Sequence, residues 1–237
     1  MPQVTFFIPC LNEAENVYKT LGGVVAAASA VGVSYEILVV DDASSDDTLG
    51  AIASFQEAHP KAPVIVKKND RTMGLGRNYV DGAFLGHGEY YMMVCGDNTR
   101  SEGSVVTILS SMGKADMVLP YFGDTDHRTW FRRFVSRSFV VLVNLISGNS
   151  IRYYNGLILH KRSNVMRWHS DSHGFGSHAE LITRLLDEGA TYTEVQIVNE
   201  EREAGKSKAF AIGGFFSVAH SLLEIFLRRV RRALFNR

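Results

Sequence analysis

The stretch Val39-Val40-Asp41-Asp42-Ala43-Ser44-Ser45-Asp46-Asp47-Thr48 concentrates polar chemistry at one point of the chain. A β-branched run stops at two carboxylates, followed by small hydroxyl residues and two more carboxylates. Paired acids at the C-terminal end of a buried strand suit a sugar nucleotide: they accept hydrogen bonds from base or ribose, or hold a metal on phosphates. The purely structural alternative is an acidic turn in which Ser45 caps the next helix and Asp46 and Asp47 favour its dipole. Gly74-Leu75-Gly76 allows close backbone approach to a ligand and presents helix N–H groups, although a plain turn uses the same residues. Arg202 and Lys208 stand in a Gly/Ser-containing loop; an arginine fork and a lysine point charge suit phosphate, and a solvated basic loop is the alternative.

The elements that must carry these residues follow from periodicity. Val4–Ile8 reads as a buried strand closed by Pro9, and Asn12 with Glu15 as a capping-box start to a helix bearing Val17, Leu21, Val24 and Ala28. Strands are expected at 35–40, 64–67, 90–94 and 117–120, with helices at 48–59 and from Gly74 to Leu85 between them. Such alternation predicts a doubly wound α/β sheet, with ligands beyond the strand C-termini. Residues 9–13, 41–48 and 95–99 all fall at such ends and should converge on one crevice.

The second half differs. Residues 128–146 are apolar but studded with Arg128, Arg132, Arg133 and Arg137, as expected of an interfacial helix or of a core helix with snorkelling arginines. An amphipathic helix is expected at 177–188 and a strand at 193–198. In the stretch from 209, Ser217, Ser221, Glu224, Arg228 and Arg231 recur as one polar stripe. That spacing reads as a helix lying in a membrane interface, with Arg228, Arg229, Arg231 and Arg232 on anionic lipid; a dimer helix and a true span are the alternatives.

With 237 residues and a net charge of zero, the chain can bury a sizeable core and has no overall field to draw nucleic acid. Charge is uneven, however, because the last ten residues hold five arginines and no acid. The two cysteines, Cys10 and Cys95, read as small core residues in a reducing compartment. The N-terminus lacks the basic start and apolar run of a signal peptide.

Ile8-Pro9-Cys10-Leu11-Asn12-Glu13 together with 40–48 resembles the opening of inverting family 2 glycosyltransferases of GT-A fold. Gly74-Leu75-Gly76-Arg77-Asn78-Tyr79, Gly174-Phe175-Gly176 with Glu180, and the segment from Arg202 to Lys208 are similar to one branch, the polyprenyl-phosphate (dolichol-phosphate mannose synthase-like) transferases. The resemblance covers residues 3–208. It implies a Rossmann-like α/β domain over 1–208, with a mixed, mostly parallel sheet flanked by helices and an acceptor helix near 128–146, followed by a basic amphipathic membrane-associated helix over 209–237. It also implies inverting transfer of a sugar from a UDP- or GDP-sugar to a polyprenyl phosphate, on the cytoplasmic face of a membrane.

By the same resemblance, Asp41 contacts base or ribose, and Pro9, Asn12, Glu13 and Asp42 line that pocket with Gly74 and Gly76. Asp97 is the acid for Mg²⁺ or Mn²⁺, beside Asn98. Here the chain departs from the family, since Cys95 occupies the first place of the Asp-x-Asp and Thr99 that of a frequent glutamine. Arg202, Ser207 and Lys208 hold the donor diphosphate and acceptor phosphate, Arg132 and Arg137 guide the lipid phosphate, and Glu180 faces sugar or acceptor. Two other outcomes stay open: transfer to a sugar hydroxyl, and a non-catalytic nucleotide-sugar binder. Membrane lipid and a second copy or membrane partner are the expected macromolecular contacts.

Overall fold

The computed structural model describes residues 1–97, 101–123, 129–167, 176–198 and 212–235, with backbone alone over 212–217. Seven strands form one sheet: β1 (Val4–Cys10), β2 (Tyr35–Asp41), β3 (Val64–Lys68), β4 (Tyr90–Met93), β5 (Met117–Tyr121), β6 (Leu159–Lys161) and β7 (Tyr192–Gln196). Their order is β3-β2-β1-β4-β6-β5-β7. Only β6 runs antiparallel to its neighbours, β4 and β5. The chain moves outward from β1 through β2 to β3 and then returns to place β4 on the other side of β1. That reversal is a topological switch point, and the crevice it opens lies beyond the C-terminal ends of β1, β2 and β4.

Strand alternation divides the core in two. Phe6, Ile8, Ile37, Val39 and Met92 face α1 (Val17–Val31), α2 (Thr48–Ala58) and α4 (Glu102–Leu109). Phe7, Leu38, Val40, Tyr91 and Met93 face α3 (Leu75–Leu85), α5 (Trp130–Ser147), α7 (Ser177–Asp187) and α8 (Ile212–Phe235). A short helix, α6 (Arg162–Met166), follows β6.

Pro9 does not close β1, which continues to Cys10. Cys10 turns its carbonyl to Asp42 N on the β2 side (2.8 Å), so Pro9 faces β4, whose register with β1 ends at Phe7 and Met93. The missing proline N–H therefore costs no ladder bond. The Asn12–Glu15 capping box does not form either. Helix α1 begins at Val17, and Asn12 stands five residues upstream with φ 58°.

Helix α8 places the expected basic residues in two settings. Part of its polar stripe turns to the domain: Ser221 is buried beside Ile225, and Arg228 reaches Asp187 at the end of α7 together with Arg229 and Arg232, while Glu224 and Arg231 of the stripe stay exposed. The outward side is apolar, with Phe226, Leu234 and Phe235 at 50%, 67% and 79% exposure. Helix α5 exposes Trp130, Phe134 and Leu145 in the same way. Among the described residues, no helix is long and apolar enough to cross a membrane.

Two histidines are buried where α7 packs on the sheet. His160 on β6 and His178 are buried; both ring nitrogens of His160 and Nε2 of His178 lack a hydrogen-bond partner. Burial pushes their pKa values from 6.5 down to about 3 and about 4, with His178 adding to the effect on His160. As pH falls below 6.5, the unfolded chain takes up protons that the folded chain refuses. Each histidine therefore removes up to about 1.4 kcal/mol of stability per pH unit, until its folded pKa is reached. We expect urea midpoints to fall between pH 7 and pH 5, and to fall less in His160→Leu; equal slopes would contradict this account.

Candidate active site

Asp41 ends β2 and Asp42 follows it directly, and their side chains diverge, as those of consecutive residues in extended backbone do. Asp41 is fully buried. Its Oδ2 accepts from Ser44 N at 3.4 Å, while the buried Oδ1 has no hydrogen-bond partner. A buried carboxylate oxygen left this way is costly unless a ligand donates to it. Asp42 is already committed. It accepts from Met73 N (2.8 Å), Gly74 N (3.0 Å) and Asn69 Nδ2 (2.8 Å), and Asn69 also donates to Asn78 Oδ1 at 2.8 Å. Burial raises the Asp42 pKa, but the hydrogen bonds from Met73, Asn78, Asn69 and Gly74 outweigh it and hold the carboxyl below its usual value. Asp42 thus positions the entrance to α3, and the Gly74 N–H assigned to a ligand from the sequence is spent on it. Gly74 itself sits at φ 87°, a backbone that side-chain-bearing residues resist. Gly76 is buried in the first turn beyond it.

The loops after β1 and β2 are fastened together. Asn12 N donates to Ser44 Oγ (2.9 Å), and Asn12 Oδ1 accepts from Ser45 N (2.8 Å) and Ser45 Oγ (3.2 Å). Glu13 N donates to Thr48 Oγ1 at 2.9 Å, and Ala14 N to Asp46 Oδ2 at 3.1 Å. Ser45 is therefore no helix cap; Asp46 instead accepts from Thr48 N at 3.1 Å. Asn12 and Ala43 both hold positive φ, 58° and 64°, where a non-glycine residue costs about 1 kcal/mol or more. The Glu13 carboxylate accepts from Asn16 Nδ2 at 3.0 Å.

Asp97 stands in the turn after β4. A Cβ on Gly96 would lie 2.9 Å from Cys10 Sγ and 3.1 Å from Pro9 O, so glycine lets this turn press against the end of β1. Thr20 Oγ1 on α1 donates to Gly96 O at 3.1 Å and fixes it from behind. Burial, then the charges of Glu13 and Asp41, push the Cys10 thiol up, which keeps it an inert core group. Pro9, Asn12, Glu13, Asp41 and Asp97 thus belong to adjoining strand ends. Glu180 is buried in the first turn of α7, 3.7 Å from Arg184. Arg132 is half-buried and Arg137 exposed on α5. Asn98, Gly174, Phe175, Arg202, Ser207 and Lys208 lie outside the described residues.

Residues 5–175 match the family model of glycosyl transferase family 2. The chain belongs to that family. Among curated relatives it is similar to undecaprenyl-phosphate 4-deoxy-4-formamido-L-arabinose transferases. The one from Sodalis glossinidius is 24% identical over 207 residues, and that from Edwardsiella ictaluri 25% over 206. These alignments cover 87% and 86% of the chain, which spans 62% of either relative's length. Among solved structures, a mannosyltransferase from Pyrobaculum calidifontis, in complex with GDP-Man and Mn²⁺, superposes with TM-score 0.69 at 18% identity, covering 97% of this chain and 64% of that one. Glucosyl-3-phosphoglycerate synthase from Mycobacterium tuberculosis, in complex with uridine diphosphate, gives TM-score 0.71 at 15% identity and coverages of 95% and 80%. These likenesses establish the GT-A fold for this family 2 chain.

Sequence reasoning did not find the Asp42–Asn69–Asn78 network. Its only trace is a pair of asparagines flanking the Gly-Leu-Gly segment. Replacing Asp42 by Asn leaves the Met73 and Gly74 N–H groups facing an amide. We expect a stability loss of about 2 kcal/mol and weaker nucleotide-sugar binding, measured by denaturation and calorimetry. Because the folded pKa of Asp42 is lowered, its contribution is full above about pH 4 and fades as pH falls below 3.8, so wild type and variant should converge in acid.

Proposed function

We propose that the chain transfers a sugar from a UDP- or GDP-sugar to a polyprenyl phosphate, inverting the anomeric carbon. The observation that carries the reading is the buried, unpartnered Oδ1 of Asp41 in the switch-point crevice of a family 2 fold. It accepts a hydrogen bond from the donor's base or ribose, beside Pro9, Asn12 and Glu13. The names of the relatives, undecaprenyl-phosphate 4-deoxy-4-formamido-L-arabinose transferases, support the acceptor class.

The acceptor phosphate oxygen forms the new bond to the anomeric carbon as the bond to the nucleoside diphosphate breaks on the opposite face. That oxygen is already anionic, so no general base is required. Catalysis is then positioning and charge neutralisation, with Arg202, Ser207 and Lys208 on the phosphates. Mg²⁺ or Mn²⁺ suits the same site. No group of three His, Cys, Asp or Glu residues able to hold a metal is assembled among the described residues. Asp97 would supply one carboxylate, with Asn98 next to it in the sequence, and the ion would take further oxygens from the donor and water, as Mg²⁺ usually does. When bound, the ion neutralises charge on the leaving diphosphate.

The apolar sides of α5 and α8 meet the bilayer that carries the acceptor, with the chain lying on the cytoplasmic face of the membrane. Exposed Trp130 and Phe134 beside Arg132, Arg133 and Arg137 give the aromatic and cationic mixture that a lipid interface favours.

The test is turnover of UDP- and GDP-sugars with polyprenyl phosphate and Mg²⁺ or Mn²⁺ in detergent. Sugar phospholipid should form, Asp97→Ala should abolish it, and Asp41→Asn should weaken donor binding about tenfold or more. Transfer only to a sugar hydroxyl, or donor binding without product across the panel, would overturn the assignment.

A further inference from the structure

A cavity of about 490 Å³ opens between the C-terminal halves of α7 and α8. It lies away from the donor crevice, because α7 carries the chain back towards the start of β7. None of the residues lining it belongs to the loops after β1, β2 or β4. Arg184, Arg228, Arg231 and Arg232 line the cavity against Asp187 and Glu188. Four guanidinium groups facing two carboxylates leave a formal excess of two positive charges.

The acids present are also shared. Asp187 is within 3.1 Å of Arg228, 2.5 Å of Arg229 and 2.8 Å of Arg232, and Glu188 lies 3.6 Å from Arg167. Arg228 is largely withdrawn from water, with a side-chain exposure of 17%, and half-buried Arg184 has Glu180 at 3.7 Å. Cations gathered this closely with too few acids repel one another, and an anion entering the cavity relieves that repulsion. Burial lowers the Arg228 pKa; the charge of Arg184 acts in the same direction, and Asp187 and Glu180 oppose it. Planar guanidinium groups present paired donors that fit phosphate oxygens.

We propose that this cavity binds a phosphate group, supplied by the headgroup of an anionic lipid. The source follows from the surroundings. Phe235 lines the cavity, and exposed Leu234, Val230 and Leu227 continue an apolar surface along the same helix. A phosphate pocket bordered by apolar side chains matches a lipid, whose charged and greasy parts are adjacent; a soluble phosphate has no use for the apolar border. The site anchors the far end of α8 to the membrane.

The inference rests on the membrane-surface part of the proposed function, and the test separates the two. Full-length protein is floated with phosphatidylcholine vesicles, with and without phosphatidylglycerol. The comparison is with the double variant Arg231→Gln/Arg232→Gln, which leaves Arg228 and Arg229 on Asp187, and with Lys61→Gln on the loop before β3, the edge strand opposite β7. Binding should require phosphatidylglycerol and fall about fivefold for each cavity arginine removed, while Lys61→Gln changes it little. Melting temperature should fall only slightly, since Arg228 and Arg229 keep Asp187 paired, and transfer to acceptor in detergent should persist, so loss of vesicle binding is read apart from loss of catalysis. Equal losses in both variants, or indifference to phosphatidylglycerol, would overturn the site. Thermal stabilisation of wild type but not the double variant by inorganic phosphate, without vesicle preference, would overturn the lipid source.

Discussion

Two adjacent carboxylates at the end of a buried strand cannot serve the same partner, and the crevice is organised around that fact. Extended backbone sends Asp41 and Asp42 to opposite sides. Because Cys10 is in register with Asp41, the pair emerges where β1 also ends, and Asp42 N is held by Cys10 O. One carboxylate is consumed in bracing the entrance to α3, which lets the other keep an oxygen unpaired in a rigid surrounding. Had both been solvated, neither would be preorganised; had both been satisfied internally, neither could take a ligand.

Rigidity around Asp41 is gained by strain. Asn12 and Ala43 hold left-handed backbone, and the loops bearing them exchange hydrogen bonds through Ser44, Ser45, Asp46 and Thr48. Asparagine suits such a position because its amide can bond the neighbouring loop; alanine has no such recourse and is held there by its context. Side chains that resemble helix caps in sequence are therefore cross-loop ties. Asn12 and Ser45, read as caps from the sequence, bond each other across the two loops, and α1 and α2 start without a side-chain bond from Asn16 or Asp47 at their N-caps.

The sheet was legible because its signal is repeated. Each strand is a short β-branched or aromatic run, and each is followed by a helix with apolar spacing, so β1 to β5 fall within one or two residues of expectation. The ligand-facing role of Asp41 was legible from its place at a strand end. What was illegible depended on distant partners. The three-residue β6 is too short to show a period, and its antiparallel direction is set by β4 and β5. Asp42 and Asn69 meet across 27 positions. Nothing local distinguishes a carboxylate awaiting a ligand from one already filled.

Helix α8 shows the same limit at larger scale. Amphipathic spacing tells which residues share a face but not which face is inward. A row of arginines beside an apolar row was assigned to headgroups because charge is expensive to bury. Asp187 reverses that expense: with its side chain only 8% exposed, it gives three arginines a common partner inside the domain. Arg229 also packs so close to Gly148, at the end of α5, that a Cβ there would lie 2.9 Å from its Nη2, and so it complements the negative end of that helix dipole. Once these contacts turn the arginines inward, helical geometry leaves Phe226, Leu227 and Leu234 no choice but to point out. The exposed apolar surface of α8 is thus partly a consequence of where its charges found partners, while Ile225 and Leu222 of the same helix pack into the core.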